Sequence, residues 1–463
     1  MDLNYLTLAK ASELIAKKVL SSEELTQAHL DRFSELESNL NCFITPTPER
    51  ALKRARALDA EIQNGISRGP LHGIPIALKD LFETRGIPTT AGSLFFKDWV
   101  PEDDSVVVER LSTAGAVSLG KLNMHEIALG VTNNNPHYGA CHNPWDLERT
   151  PGGSSGGSGA ALAAGLCMGA MGSDTGGSIR IPSSLSGVVG LKPTFGRVSL
   201  RGVMPLSWNL DHPGPMARRV EDTAILLQAI AGYDPEDPVS VDMDVPDYQA
   251  QLRGNVRGWR VALAEDPFFA SADEEVLAAV RDAAEVFASL GAQVIPVAFP
   301  GAYEAARDNG LMVISDAASF HQERLTDFPE KFGEDVRQRL ESGAAYTSSR
   351  YILARRNQSV LRRKFEQFFN EYDLLLTATT PIAAPLLEGP DAVEQANTLT
   401  RFTAPFNFSG LPSISLPCGF TDQGLPIGLQ IITRPWGEAA ALRAAQAYES
   451  ATEWYLRRPN FSE

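Results

Sequence analysis

The sequence predicts an α/β fold, a central β-sheet covered by helices on both faces, and three observations carry that expectation. From Leu71 onward, short apolar segments alternate with loops and helix-length segments, the pattern of strands and helices packed in layers. Three later runs, LLLTAT, SISLPC and GLQIIT, are apolar enough to return to the same sheet. Between them lies Thr150 to Arg180, TPGGSSGGSGAALAAGLCMGAMGSDTGGSIR, with ten of the 38 glycines and five serines. It reads as two backbone-dominated loops joined by a short helix and a strand. Glycine costs conformational entropy on folding, so such density calls for positive φ or close backbone approach to a ligand.

The chain opens with helical signals. Leu8 to Leu20 has apolar residues at helical spacing, Ser21 with Glu24 fits a capping box, and a second helix runs to about Leu36. Thr47-Pro48 starts a third helix that ends near Gly65. These three read as an outer layer, scaffold and oligomer contact. LHGIPIALKD is then a buried strand delivering Lys79, Asp104 caps a helix through Thr113, and Ala116 to Leu119 is the next strand. In the glycine-rich centre, Gly159 to Leu166 is small and helix-tolerant, and Cys167 to Gly172 is an apolar run of strand length. GVVGLKPTFGRVS continues the sheet edge, and Val220 to Ala231 is an apolar-rich helix. DPEDPVSVDMDVPDY, polar and proline-containing, reads as an exposed connection. Beyond it, Trp259 to Ala264 and Ala292 to Phe299 are strands around a helix from Ala272 to Leu290. A long helical stretch runs from about Glu334 to Tyr372, and Glu438 to Thr452 closes the chain.

Composition narrows the function. Lys and Arg number 41 against 57 Asp and Glu, a net charge of −16, which disfavours loose electrostatic binding to nucleic acid or anionic membranes. Cys42, Cys141, Cys167 and Cys418 show no C-x-x-C spacing and read as reduced thiols, not a disulfide or zinc framework. HYGACH, His137 to His142, has no acidic partner nearby and reads as loop packing instead of a metal site. The N-terminus lacks a basic region and an apolar one, and no run reaches the roughly 18 apolar residues of a membrane span, so a cytoplasmic location is expected.

The second glycine loop, Asp174-Thr175-Gly176-Gly177-Ser178, leaves the strand with successive N–H groups able to form a concave nest for a negative oxygen. Ser178 at its end is a candidate nucleophile; a phosphate-binding loop and a tight structural turn are the competing readings. No G-K-[ST] follows GGSSGGSG, which weakens the nucleotide reading. A serine hydroxyl needs a base, and none of the seven histidines sits in a pattern that pairs it with an acid. Lys79 fills that role if burial lowers its pKa; the alternative is an ammonium that snorkels out of the sheet edge.

ALKD around Lys79, then PGGSSGGSGAALAAG, then GSDTGGSIRIPSSLSGVVGLKPTFGRVS together resemble the amidase signature family of serine hydrolases, in order from about Leu71 to Asp222. NPWD, DHPGPMARRVEDTA and GLPSISLPCGF are similar to it as well. The resemblance implies that family's fold, a large mixed central sheet in a single domain over 1–463: a helical layer to 65, a core over 66–233 and a completing part over 234–463. It also implies a triad with Ser178 as nucleophile, Ser154 as the bridging serine on a cis peptide and Lys79 as base. The N–H groups of Thr175, Gly176, Gly177 and Ser178 would form the oxyanion hole, and the cycle would need no metal or cofactor. Ser155, Asp174 and Arg180 are supports or satisfy buried backbone, and Thr150, Ser158 and Ser173 read as scaffold.

One branch of that family is the glutamine-hydrolysing subunit of tRNA-dependent amidotransferases, to which GKLNMHEIALG and NPWDLERTPGGSSGGS are similar. Two departures point away from glutamine: AAYTSSRYILARRNQ replaces a tyrosine-rich helix, and Thr400 in NTLTRFTAPFN stands where the branch has an aspartate. Ile181 replaces the arginine of malonate-specific members. The expectation is therefore a stand-alone hydrolase of apolar or aryl amides, carbamates or esters, with small-molecule substrates, no nucleic-acid or membrane partner and a homodimer as an option. The alternative is the ammonia-releasing glutaminase of an amidotransferase complex. Met124, His125, Ile181 and Trp208 are the expected pocket residues, with Met204 and Leu206 in the same stretch.

Overall fold

The computed structural model describes residues 2–389 and 391–461. The opening helices follow their local signals. Leu8–Ala16 stops short of Leu20 because Lys18 turns into the left-handed region. Ser21 and Glu24 form a reciprocal capping box at the start of Ser22–Leu40, and Pro48 occupies the first turn of Pro48–Gln63.

Thirteen strands among the described residues follow in chain order: β1 (Phe43–Pro46), β2 (Pro75–Lys79), β3 (Val117–Leu122), β4 (Asn134–Asn135), β5 (Gly139–Ala140), β6 (Gly169–Asp174), β7 (Val189–Lys192), β8 (His212–Ala217), β9 (Arg260–Ala264), β10 (Gln293–Val297), β11 (Leu374–Ala378), β12 (Ser413–Phe420) and β13 (Pro426–Ile432). β4 and β5 form a small hairpin, and the other eleven make one mixed sheet in the order β1-β3-β2-β6-β8-β7-β12-β13-β11-β9-β10. β2 pairs in parallel with β3 and β6, and β9 with β10 and β11, while the remaining pairs run antiparallel. Helices cover both faces, so β2, β6, β8 and β13 are buried along their whole length, which is why these strands read as continuous apolar or small-residue runs.

Several sequence expectations shift. GVVGLKPTFGRVS does not lie at the sheet edge: β7 sits between β8 and β12, near the middle. Asp104 accepts from the Arg85 N–H, and the neighbouring Ser105 caps the helix Val106–Thr113. The stretch from Glu334 is two helices, Glu334–Ala344 and Ser348–Phe368, with Thr347 capping the second. A helix the sequence did not disclose, Ala302–Phe320, packs against both and closes one wall of the site. No helix among the described residues is long and apolar enough to cross a membrane, and all four cysteines are buried free thiols.

Candidate active site

Parallel pairing of β2 with β6, Leu78 opposite Met171, sets the C-terminal ends of both strands side by side, the end of an α/β sheet where ligands are bound. Lys79 ends β2 and is fully enclosed. Its Nζ donates to Ser154 Oγ at 2.7 Å and to Ser173 Oγ at 2.8 Å. Burial pulls the amine down to about 7, with the Asp174 and Asp211 carboxylates opposing, because a low dielectric penalises the charged form. The snorkelling alternative is therefore excluded. Ser173, which reads as scaffold in the sequence, is a direct partner of the amine; its place near the end of β6, the strand paired with β2, is the signal that could have found it.

The peptide between Gly153 and Ser154 is cis. Ser154 and Ser155 sit just before the helix Gly156–Ala163. Ser155 ties the two glycine loops together: its N–H donates to the Ser178 carbonyl at 3.2 Å, and its hydroxyl to the Ser173 carbonyl at 3.2 Å. Gly157 allows the first loop to pack against main chain, since a Cβ there would fall 2.5 Å from the Asn123 carbonyl oxygen.

In the second loop, Gly177 has φ 140°, and a Cβ on it would meet Thr403 Oγ1 at 2.3 Å. Among the described residues, the N–H groups of Gly176, Gly177 and Ser178 have no protein acceptor, while Thr403 Oγ1 donates to the Gly176 carbonyl at 2.6 Å and Asn309 Nδ2 to that of Thr175 at 3.3 Å. The carbonyls are thus held outward and the N–H groups left free. Thr175 donates through Oγ1 to Asp211 at 2.6 Å, and burial raises that carboxyl to about 6.

Beneath the loop is a buried ionic knot. Arg180 makes a two-pronged contact with Asp174, Nη2 to Oδ1 at 2.9 Å and Nε to Oδ2 at 3.0 Å. Burial disfavours the Asp174 charge, but the guanidinium outweighs it and holds the carboxyl well below the usual range. Arg180 also donates to Gln430 and Asn407 at 2.6 Å each, and Asn407 to Asp174 Oδ1 at 2.8 Å. Asp174 and Arg180, read from the sequence as supports, are direct partners; Asn407, Gln430 and Thr403, more than 200 residues downstream, were beyond a local reading.

Ser178, 6 % exposed, opens with Thr175 and Gly176 into a cavity of about 330 Å³ whose other walls include Leu129, Leu206, Asn309, Ile314, Arg339 and Thr400. Of the pocket residues expected from the sequence, Leu206 is in place. Met124 is fully buried elsewhere in the core, and Ile181 packs with Leu185, Ala384 and Leu399 behind Gly177. His125 is enclosed and faces Asp335. Trp208, 48 % exposed, lines a separate recess with Asn209, Tyr346 and Tyr351. For Met124, His125 and Trp208, sequence position does not say which face of a loop meets the cavity; Ile181 lies on the helix Arg180–Ser186 with its side chain in the apolar cluster of Leu185, Ala384 and Leu399. In HYGACH, His137 finds an acidic partner the sequence did not suggest, Glu126 at 2.9 Å, and His142 contacts the Leu147 carbonyl, so both rings are used in loop packing.

The profile of the family described as Amidase matches residues 24–442. The A-subunit of the glutamyl-tRNA(Gln) amidotransferase of Moorella thermoacetica is 43 % identical, with 99 % of each chain covered. A chain from the structure of a vestigial protein complex bearing on the evolutionary origins of an s-triazine catabolic enzyme superposes with TM-score 0.93 at 35 % identity, over 98 % of this chain and all of that one. The corresponding amidotransferase chain of Thermotoga maritima does so with TM-score 0.84 at 33 % identity, over 98 % and 96 % of the chains. The curated relatives from Moorella thermoacetica, Chloroflexus aggregans and Myxococcus xanthus, 43 %, 40 % and 40 % identical over 99 %, 100 % and 99 % of this chain, are amidotransferase A subunits, and they overturn the expectation of a stand-alone hydrolase of apolar or aryl amides without protein or nucleic-acid partners.

Proposed function

The chain belongs to the amidase family, and on that premise we propose that it hydrolyses the side-chain amide of glutamine as the ammonia-releasing component of a tRNA-dependent amidotransferase. The observation that carries the chemistry is the enclosed Lys79 amine, hydrogen-bonded to Ser154 beside a cavity that Ser178 enters. Neutral Lys79 takes the proton of Ser154, Ser154 takes that of Ser178, and Ser178 Oγ attacks the amide carbon. The amide oxygen becomes an oxyanion received by the N–H groups of Thr175, Gly176, Gly177 and Ser178, each donor contributing on the order of 3 kcal/mol. The relay returns the proton to the nitrogen, ammonia leaves, and water attacks the acyl-enzyme to give glutamate. Ser155, Asp174 and Arg180 hold the two loops in this arrangement, and Ser173 orients the lysine.

Arg339 supports the carboxylate end of the substrate. Among the described residues it is the one charged side chain of the cavity wall, and its guanidinium is anchored by one donor to the Leu129 carbonyl at 2.7 Å, leaving others for a carboxylate. The α-ammonium would meet the neutral oxygens of Asn309, Asn397 and Thr400. One observation favours a second reading: no carboxylate is among the described residues that line the cavity, which suits an amide acid without an ammonium group.

Two measurements test this. Treatment with a fluorophosphonate should add one adduct to the wild type by intact mass and none to Ser178→Ala. Ammonia release should be faster from L-glutamine than from glutaramate, which lacks only the α-amino group; the reverse order would establish the second reading, and release from neither would defeat both.

A further inference from the structure

We propose that His125 and Asp335 are positioning residues that fix Arg339 for substrate-carboxylate recognition and tie it to the catalytic relay; the proposal rests on the reading of Arg339 given above. His125, 2 % exposed, lies with Nε2 2.9 Å from Asp335 Oδ2. The same carboxylate oxygen is 3.7 Å from Arg339 Nη1, one helical turn further along Glu334–Ala344. At its other end, His125 donates its main-chain N–H to the carbonyl of Ser154 at 3.2 Å. Imidazole, carboxylate and guanidinium therefore form a continuous chain from the peptide that carries Ser154 to the wall of the cavity.

The surroundings are shaped for that chain. Partial burial works against the Asp335 charge, but the His125 hydrogen bond and the nearby Arg339 guanidinium hold the carboxyl down to about 2. A Cβ on Gly130 would fall 2.1 Å from His125 Nε2, so the ring reaches Asp335 only because residue 130 has no side chain. The neighbouring Glu126 accepts the Gly333 N–H at 2.8 Å, Ser93 Oγ at 2.7 Å and a contact from His137 at 2.9 Å. The helix bearing Arg339 is thereby pinned at its start to the segment that includes His125, and Thr132 Oγ1 lies 3.4 Å from the far ring nitrogen.

Arginine carries large rotamer entropy, and a guanidinium on a half-exposed helix face would sweep a wide arc. Fixing it beforehand through the Leu129 carbonyl and Asp335 cuts the ordering cost of ligand binding. Neither partner needs to touch the substrate. Their effect is confined to ligands with a carboxylate.

The test is protection of Ser178 from fluorophosphonate labelling in the full-length chain, by glutaramate and by the neutral amide butyramide. Each variant's unprotected labelling serves as its own reference. His125→Ala and Asp335→Asn should raise the half-protecting concentration of glutaramate about tenfold, the upper end of the cost of immobilising one rotamer-rich side chain on binding, relative to that of butyramide. Asp335→Glu should restore most of the loss, and Gly130→Ala, which displaces the ring, should reproduce it. Asp335 has a side chain 46 % exposed, so its substitution keeps the fold even if His125→Ala does not. A selective loss in Arg339→Ala with none in Asp335→Asn would overturn the positioning proposal alone. No selective loss in Arg339→Ala would overturn the carboxylate reading on which it rests, and with it this proposal.

Discussion

Lys79 shows how burial sets chemistry at a single residue. Desolvation brings the amine to about 7, so it accepts a proton near neutrality. As base it must be unprotonated: kcat/KM for ammonia release should rise with pH through about 7 and level off above it, and a profile that falls across that interval would remove lysine from the role. Gly177 makes the complementary point about main chain. A methyl group there collides with Thr403 and meets a φ of 140°, so Gly177→Ala should lower kcat by roughly 10²- to 10³-fold, the cost of misplacing an oxyanion donor, and should also destabilise the protein by about 1–3 kcal/mol in denaturant titration. At this scale the residues alone left alternatives open: Lys79 read as a base or a snorkelling ammonium and Ser178 as a nucleophile or a turn residue, and the role of Ser154 came only from the family resemblance. Met124, His125 and Trp208 were misplaced because side-chain direction in irregular backbone is set by packing from elsewhere, and Ile181 because the face of the helix Arg180–Ser186 that carries it is buried against Leu185, Ala384 and Leu399.

Among elements, the helix Ala302–Phe320 separates what periodicity reveals from what it hides. Its buried Asp308, Asn309, Ser315 and Asp316 interrupt the apolar pattern, and three of them are satisfied from distant segments: Asp308 by Asn357, Asn309 by Thr175, Asp316 by Ser207 and Tyr351. A local reading sees polarity where the fold sees partners. This helix crosses Glu334–Ala344 so closely that a Cβ on Gly343 would fall 2.1 Å from the Ile314 carbonyl oxygen. Gly343→Ala should force the two helices apart, destabilising the protein by about 1–3 kcal/mol in denaturant titration. Because the pair carries Asn309, Ile314 and Arg339 into the cavity, KM for the amide should rise as well; an unchanged KM would mean that the wall tolerates the shift.

For the molecule as a whole, net charge bears on assembly. A chain of −16 offers poor electrostatics for the phosphate backbone of tRNA, so in the proposed assembly the tRNA is held by partner proteins. Affinity capture from its native cells should bring those partners along, and fluorescence anisotropy should detect labelled tRNA on the assembly but not on the isolated chain; binding to the isolated chain would contradict this division of labour. The amino-acid sequence by itself determined the α/β class, the capped N-terminal helices, the buried strand ending in Lys79 and the two glycine loops, because each rests on propensity, short periodicity or residues close together in the chain. Only the tertiary structure decided the order of the eleven strands, the neutralising depth of Lys79, the clamps from Thr403, Asn407 and Gln430, and a cavity lined by Arg339. Those depend on which surfaces exclude water together, and that is a property of the folded chain as a whole.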